Sequence, residues 1–321
     1  MTEMTARAVE PGIRIADALE RAIAVGRAYR GGQVTTRIPA LASADPAALG
    51  IAVAPLGAVP RAAGDADAPF SIQSISKLFG FALLLSLDGM RAWQRVRWQA
   101  SASRYDSLTE LEAADGYPRN PFVNAGAMLV TDRLMTLRGS PAAEITELLR
   151  TESGSGDIGP DDEVRRSEAA NGHRNAALAH FLASYRLLEN DVEAVLHEYY
   201  GQCSIRATCR DLATAAAFLA NDGVTAAGRR LLTPEATRTL NAVMLTSGTY
   251  DGASDFAFRV GLPAKSGIGG GIVAVMPGRA GLCVWGPRLD RHGTSAAGVA
   301  ALQEFCSITG WSVFSAGRTA A

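Results

Sequence analysis

The chain has 321 residues, 48 % hydrophobic and 20 % charged, the balance of a soluble globular protein with room for one large domain or two interleaved ones. Basic and acidic residues number 31 and 32, and the formal net charge of −1 excludes an electrostatic attraction to nucleic acid or to an anionic membrane. Apolar runs such as 78–87 are shorter than the ~20 residues a membrane span needs. The stretch 1–12 lacks the basic start and apolar run of an export signal, so the expected location is cytoplasmic.

Taken in chain order, Ile13 to Tyr29 carries apolar residues at helical spacing and stops at Gly31-Gly32, which predicts an amphipathic helix. Gly50 to Pro55 and the stretch after Leu56 predict two short strands joined by a turn. Phe70 to Ser86 is apolar nearly all round and predicts a buried helix. From Leu108 to Asn221 the text is helical, broken at Gly116-Tyr117-Pro118, Gly139-Ser140-Pro141, 154–160 and Asn171-Gly172, with Ser153 to Asp162 an exposed loop. Thr233-Pro234-Glu235 is a helix start. Gly270 to Met276 and Gly281 to Gly286 are β-rich runs joined by Pro277-Gly278, a hairpin signal, and a last helix covers Ser295 to Cys306. Strands at both ends with helices between predict an α+β protein, its sheet built from the two terminal portions around an all-helical insert.

The four cysteines (Cys203, Cys209, Cys283, Cys306) show no metal-ligand spacing and read as reduced, buried thiols. The four histidines are scattered and carry no motif for a Ser-His-Asp site. Lysine is the informative residue. Of 31 basic residues only Lys77 and Lys265 are lysine, and only lysine among the two cation types can lose its proton near neutrality when buried. Lys77 closes Ser74-Ile75-Ser76-Lys77, an S-x-x-K in very apolar surroundings. That spacing puts the Ser74 hydroxyl and the amine on one helical face, where a desolvated lysine takes a proton from a nucleophile. Lys265 opens Lys265-Ser266-Gly267, followed by Gly269-Gly270-Gly271 at the start of the C-terminal hairpin. A second ammonium near the first lowers the amine pKa values by repulsion. The pairing of S-x-x-K with K-[ST]-G is that of serine β-lactamases and penicillin-binding proteins.

The surrounding text narrows the resemblance. The stretches Phe70 to Lys77, Asn120-Pro121-Phe122-Val123-Asn124-Ala125-Gly126-Ala127, Ser167-Glu168 with Arg174-Asn175, Tyr199 before Cys203-Ser204-Ile205, Gly248-Thr249-Tyr250-Asp251-Gly252 and Val260 to Gly271 resemble the bacterial and mitochondrial glutaminases, in family order from about residue 13 to 305. The resemblance implies one β-lactamase/transpeptidase-like domain over 1–321, with an α/β part near 13–75 and 225–310 and a helical part near 76–224. It implies hydrolysis of L-glutamine to glutamate and ammonia with no cofactor and no metal. Ser74 is the implied nucleophile, Lys77 its base, and Tyr250 and Lys265 the remaining catalytic groups. Backbone N–H groups of Ser74 and Ile268 are the implied oxyanion donors. Asn124, Glu168, Asn175 and Tyr199 are implied to hold the amino acid end of the substrate. A homo-oligomer, dimer or tetramer, is implied as well.

Three positions depart from the family pattern. Arg37, in Thr35-Thr36-Arg37-Ile38-Pro39, stands where the family has a tyrosine, and Asp106 and Thr294 stand for asparagines. Arg37 is expected to pair with the substrate α-carboxylate. Two rival readings share the serine and both lysines: a β-lactamase or cell-wall peptidase, and a catalytically silent member that binds an amino acid or a partner protein.

Overall fold

The computed structural model describes residues 15–315. At its centre is a five-stranded antiparallel sheet, in the order Arg61–Gly64, Gly50–Pro55, Ala280–Trp285, Gly271–Met276, Ala264–Ser266. The two terminal portions of the chain meet in its middle, where Ala52 pairs with Cys283, and Cys283 with Val273. The fold class is the α+β arrangement expected, with helices filling the chain between the strands.

Strand side chains alternate between faces, and here both faces are dry. Ile51, Val53, Ile272, Leu282 and Val284 point into one core, shared with the helices Ile15–Ala28 and Ala296–Thr309. Ala52, Ala54, Val273, Val275 and Cys283 point into the other, shared with the central helices. That is why these strands read as unbroken apolar runs. The expected helix start at Thr233 is present: its side chain accepts from Ala236 N–H, with Pro234 at the first position. The hairpin turn at Pro277-Gly278 forms as read. The first helix starts at Ile15; Ile13 and Arg14 lie outside the described residues.

Two expectations need correction. Phe70 to Ser86 is not one helix. Phe70–Ser71 is a strand pairing with Arg206 and Ala207, Gln73–Ile75 is a 3₁₀ turn, and the α-helix runs Ser76–Asp88. Gln73 has φ +48°, in the left-handed region, so no continuous right-handed helix passes through it. The helical middle also contains the strand Ile205–Ala207, which pairs on its other side with Gly159–Pro160 inside the segment read as a loop.

The Ser76–Asp88 helix passes through the larger core. Leu78, Phe79, Phe81 and Leu84 are fully buried on it, each contributing about 2 kcal/mol. That surplus tolerates a buried Lys77 on the same helix. All four cysteines are free and buried. Among the described residues no helix is long and apolar enough to cross a membrane.

Candidate active site

The site forms where the Ser74 turn, the Ala264–Ser266 edge strand and the helical region meet. Three features fix the turn. Ile72 N–H donates to Ile205 O at 2.8 Å, and Ser71 Oγ to Cys203 O at 3.1 Å. On the other side Gly267 and Gly269 press against it. A methyl group on Gly267 would sit 2.5 Å from Ile72 O and 3.2 Å from Ser74 N, and one on Gly269 only 2.1 Å from Ser71 O. Glycine is what lets the lysine-bearing strand lie this close.

Ser74 is 8 % exposed, and its side chain neighbours that of Tyr250. Tyr250 sits at φ +60°, a conformation rare for a non-glycine residue, and begins the 3₁₀ turn Tyr250–Gly252. Its hydroxyl also lies 3.5 Å from Ser266 O. One face of its ring meets the Tyr105 ring, centroids 4.7 Å apart, and the Lys265 ammonium lies 4.1 Å from its centroid.

Lys77 is 1 % exposed. Its Nζ donates to Asn124 Oδ1 at 2.5 Å and to Phe122 O at 3.3 Å. The direct Ser74–Lys77 hydrogen bond suggested by the S-x-x-K spacing is not formed among the described residues. The serine lies in the 3₁₀ turn before the helix, and Asn124 holds the amine instead. Burial lowers the Lys77 pKa from 10.5 to about 8, against the opposing pull of Cys203, Glu168 and Asp106. Lys265 is fully buried and donates to Gly248 O at 3.0 Å and to Ser266 O. Burial, reinforced by the charge of Lys77, drives its pKa well below 10.5. The like-charge repulsion expected at Lys77 thus falls on Lys265.

Glu168, on the helix Asp162–Ala170, is 7 % exposed. Burial raises its pKa to about 7, against the opposing pull of the nearby Gln73 amide and the charge of Lys77. Its Oε2 is buried with no partner among the described residues. Asn124 Nδ2 donates to Asn175 Oδ1 at 2.8 Å, and the Tyr199 ring centroid lies 5.7 Å from Lys77 Nζ. Ile268 lies in the turn joining the edge strand to the next, and no described acceptor takes its main-chain N–H.

Arg37 stands farther out. Its Nη1 donates to Tyr105 Oη at 2.9 Å and pairs with Asp106 at 3.4 Å. Arg104 clasps the same carboxylate with two hydrogen bonds, and Arg174 donates to the Asp106 main-chain oxygen. Burial pushes the Asp106 pKa up, but the arginines outweigh it and the net shift is downward. Three arginines thus gather around one carboxylate. An open cavity of about 800 Å³ runs past Arg37, Arg104, Tyr105 and Ile268. Contacts join Arg37 to Tyr105, Tyr105 to Tyr250 and Tyr250 to Lys265, and join Lys77 to Asn124 and Tyr199; Ser74, Lys77 and Glu168 do not line this cavity.

The glutaminase family model matches residues 32–314. This chain belongs to the glutaminase family. It is 52 % identical over 301 residues to a glutaminase of Streptomyces coelicolor, covering 94 % of this chain and 96 % of that one. It is 43 % identical to a glutaminase of Shewanella loihica, covering 93 % and 99 %. Among solved structures it is similar to the probable glutaminase ybaS, with TM-score 0.88, 31 % identity and coverage of 94 % and 98 %. It is also similar to Mglu in its glutamate form, with TM-score 0.87, 35 % identity and coverage of 94 % and 70 %.

Within this glutaminase site stand two residues to which the sequence reading gave no role. The Tyr105 ring packs tilted by 43° against Tyr250, and Gln73 Nε2 donates to Ser71 Oγ at 3.1 Å beside Glu168. Tyr105 adjoins the divergent Asp106, and Gln73 directly precedes Ser74; neither neighbour forecasts the ring contact or the left-handed backbone.

Proposed function

We propose that the protein hydrolyses L-glutamine to L-glutamate and ammonia through an acyl-enzyme on Ser74. The observation that carries this reading is a dry amine, Lys77, held by Asn124 with its pKa lowered to about 8, three residues from a serine whose side chain neighbours Tyr250. Neutral Lys77 accepts the Ser74 proton as the oxygen attacks the carboxamide carbon. Tyr250 lies beside Ser74, and its raised pKa keeps it protonated as a donor to the departing nitrogen. Lys265, against the Tyr250 ring, supplies a charge that turns on with its own protonation. The main-chain N–H groups of Ser74 and Ile268 receive the oxyanion, each worth about 3 kcal/mol. Water then cleaves the glutamyl ester.

The partnerless Oε2 of Glu168 suits the substrate ammonium, which would also stabilise the ionised carboxylate. Asn124, Asn175 and Tyr199 line that end of the site. The half-exposed guanidinium of Arg37 suits the α-carboxylate. We read the protein as cytoplasmic, in keeping with its four free buried thiols. We read it also as a homo-oligomer, dimer or tetramer. Phe258 and Phe314 are 85 % and 69 % exposed, an apolar surface suited to a second copy.

Ammonia release from glutamine by the purified protein tests the activity, with asparagine as the control amide. Wild type should turn over and Ser74→Ala should not. Substantial release by Ser74→Ala removes the serine from the mechanism.

A further inference from the structure

Tyr250 holds a strained backbone, and strain of this kind, on the order of 1–3 kcal/mol, persists only where the surroundings over-determine it. Part of the restraint comes from a turn not assigned any role above, Asp290 to Thr294. Asp290 N–H donates to Thr294 O at 2.8 Å, and Asp290 Oδ1 accepts from the N–H groups of His292 and Thr294. The turn touches both sides of the Tyr250 hydroxyl's setting.

On one side Thr294 Oγ1 reaches Ser266 Oγ at 3.4 Å, in the residue whose carbonyl lies by the Tyr250 hydroxyl. On the other side the His292 ring covers the 3₁₀ turn. It fills the space where a Cβ on Gly252 would stand, 3.1 to 3.3 Å from three of its atoms. Its Nδ1 lies 3.1 Å from Asp251 Oδ2, an oblique polar contact rather than an aligned hydrogen bond. Arg291 Nε donates to His292 Nε2 at 2.9 Å. Arginine only donates, so Nε2 accepts and the ring proton resides on Nδ1, facing the Asp251 carboxylate.

We propose that His292 is a positioning residue for Tyr250: it seats the Asp251–Gly252 turn while Thr294 seats Ser266, which keeps the phenol on Ser74. His292 touches neither Ser74 nor Lys77 among the described contacts, and it acts through Asp251. The inference rests on the proposed role of Tyr250 at Ser74.

The test compares His292→Leu, which removes the Nδ1 proton, with His292→Asn, whose amide nitrogen stands near the Nδ1 position. With glutamine as substrate, His292→Leu should lower kcat about 10-fold or more, leave KM within about 2-fold, and unfold at nearly the wild-type temperature. His292→Asn should recover most of that loss. Asp251→Ala should match His292→Leu, and the double variant should be no worse than either single one, because both remove one link. An unchanged kcat in His292→Leu, a failure of His292→Asn to recover activity, or additive losses in the double variant would overturn the proposal. Crystal structures of wild type and His292→Leu decide it even if wild type fails to release ammonia, which would count against the proposed activity alone. The phenol should leave Ser74 in the variant, and an unmoved Tyr250 refutes the positioning role.

Discussion

Lys77 Nζ lies 2.5 Å from the side-chain oxygen of Asn124, whose amide nitrogen is in turn held by Asn175. The amine is thus oriented by a neutral partner. A carboxylate in that place would satisfy the same hydrogen bond but favour the charged ammonium, and so remove the base.

Asn124→Asp should therefore raise the pKa of Lys77 above its value of about 8. Neutral lysine is the active form, so kcat/KM should rise with pH through that pKa in wild type. In the variant the rise should move up by about one pH unit or more. A pH–rate profile whose rising limb stays in place removes Lys77 as the base.

Lys77→Met should abolish turnover and stabilise the fold at neutral pH. The folded-state pKa of about 8 lies below the unfolded 10.5. Between those values the unfolded chain binds the extra proton, so wild-type stability rises with pH there, and the full penalty of about 3 kcal/mol is present below pH 8. Methionine removes the penalty but also the two hydrogen bonds of the amine. Calorimetry at pH 7 and pH 10 should show the variant's advantage shrinking at the higher pH. A variant less stable than wild type at pH 7 contradicts this.

Glu168→Gln has the opposite pH sign. Its folded pKa of about 7 lies above the ordinary 4.5, so the folded state binds the extra proton between them and stability falls as pH rises through that window. The glutamine variant should gain up to about 3 kcal/mol over wild type at pH 8 and almost nothing at pH 4. Its KM for glutamine should rise on the order of 100-fold as the ammonium loses its counter-charge. A KM within about 2-fold of wild type takes Glu168 out of substrate binding.

Arg37→Tyr restores the family residue at the rim. If the guanidinium meets the substrate carboxylate, KM should rise about 10-fold with kcat little changed. A strong increase in glutamine turnover shows instead that Arg37, tied to Tyr105 and Asp106, obstructs entry.

Much of this architecture was legible because the sheet is buried on both faces. Gly271 to Met276 and Ala280 to Trp285 read as apolar runs and form the hairpin read from them. Lys77 and Lys265 stood out because arginine had replaced lysine everywhere else. What composition hid was backbone. Ser74 lies in the 3₁₀ turn that precedes the helix carrying Lys77, and Asn124 takes the amine, so spacing alone overstated how directly the two side chains meet. The Ile205–Ala207 strand was missed for a related reason: three residues are too few to show a period, and its pairing with Phe70–Ser71 is set by contacts distant in sequence. Arg37 was noticed as a departure, yet its grip on Tyr105 and Asp106 depends on three-dimensional proximity that no local pattern encodes.

Gly267 and Gly269 leave no room for a methyl group between the late edge strand and the early Ser74 turn. During synthesis, Ser74 and Lys77 leave the ribosome long before that strand exists. The cleft acquires its second wall only when the C-terminal hairpin docks. A chain that stops before residue 264 has Ser74 and Lys77 but not the strand that closes over them.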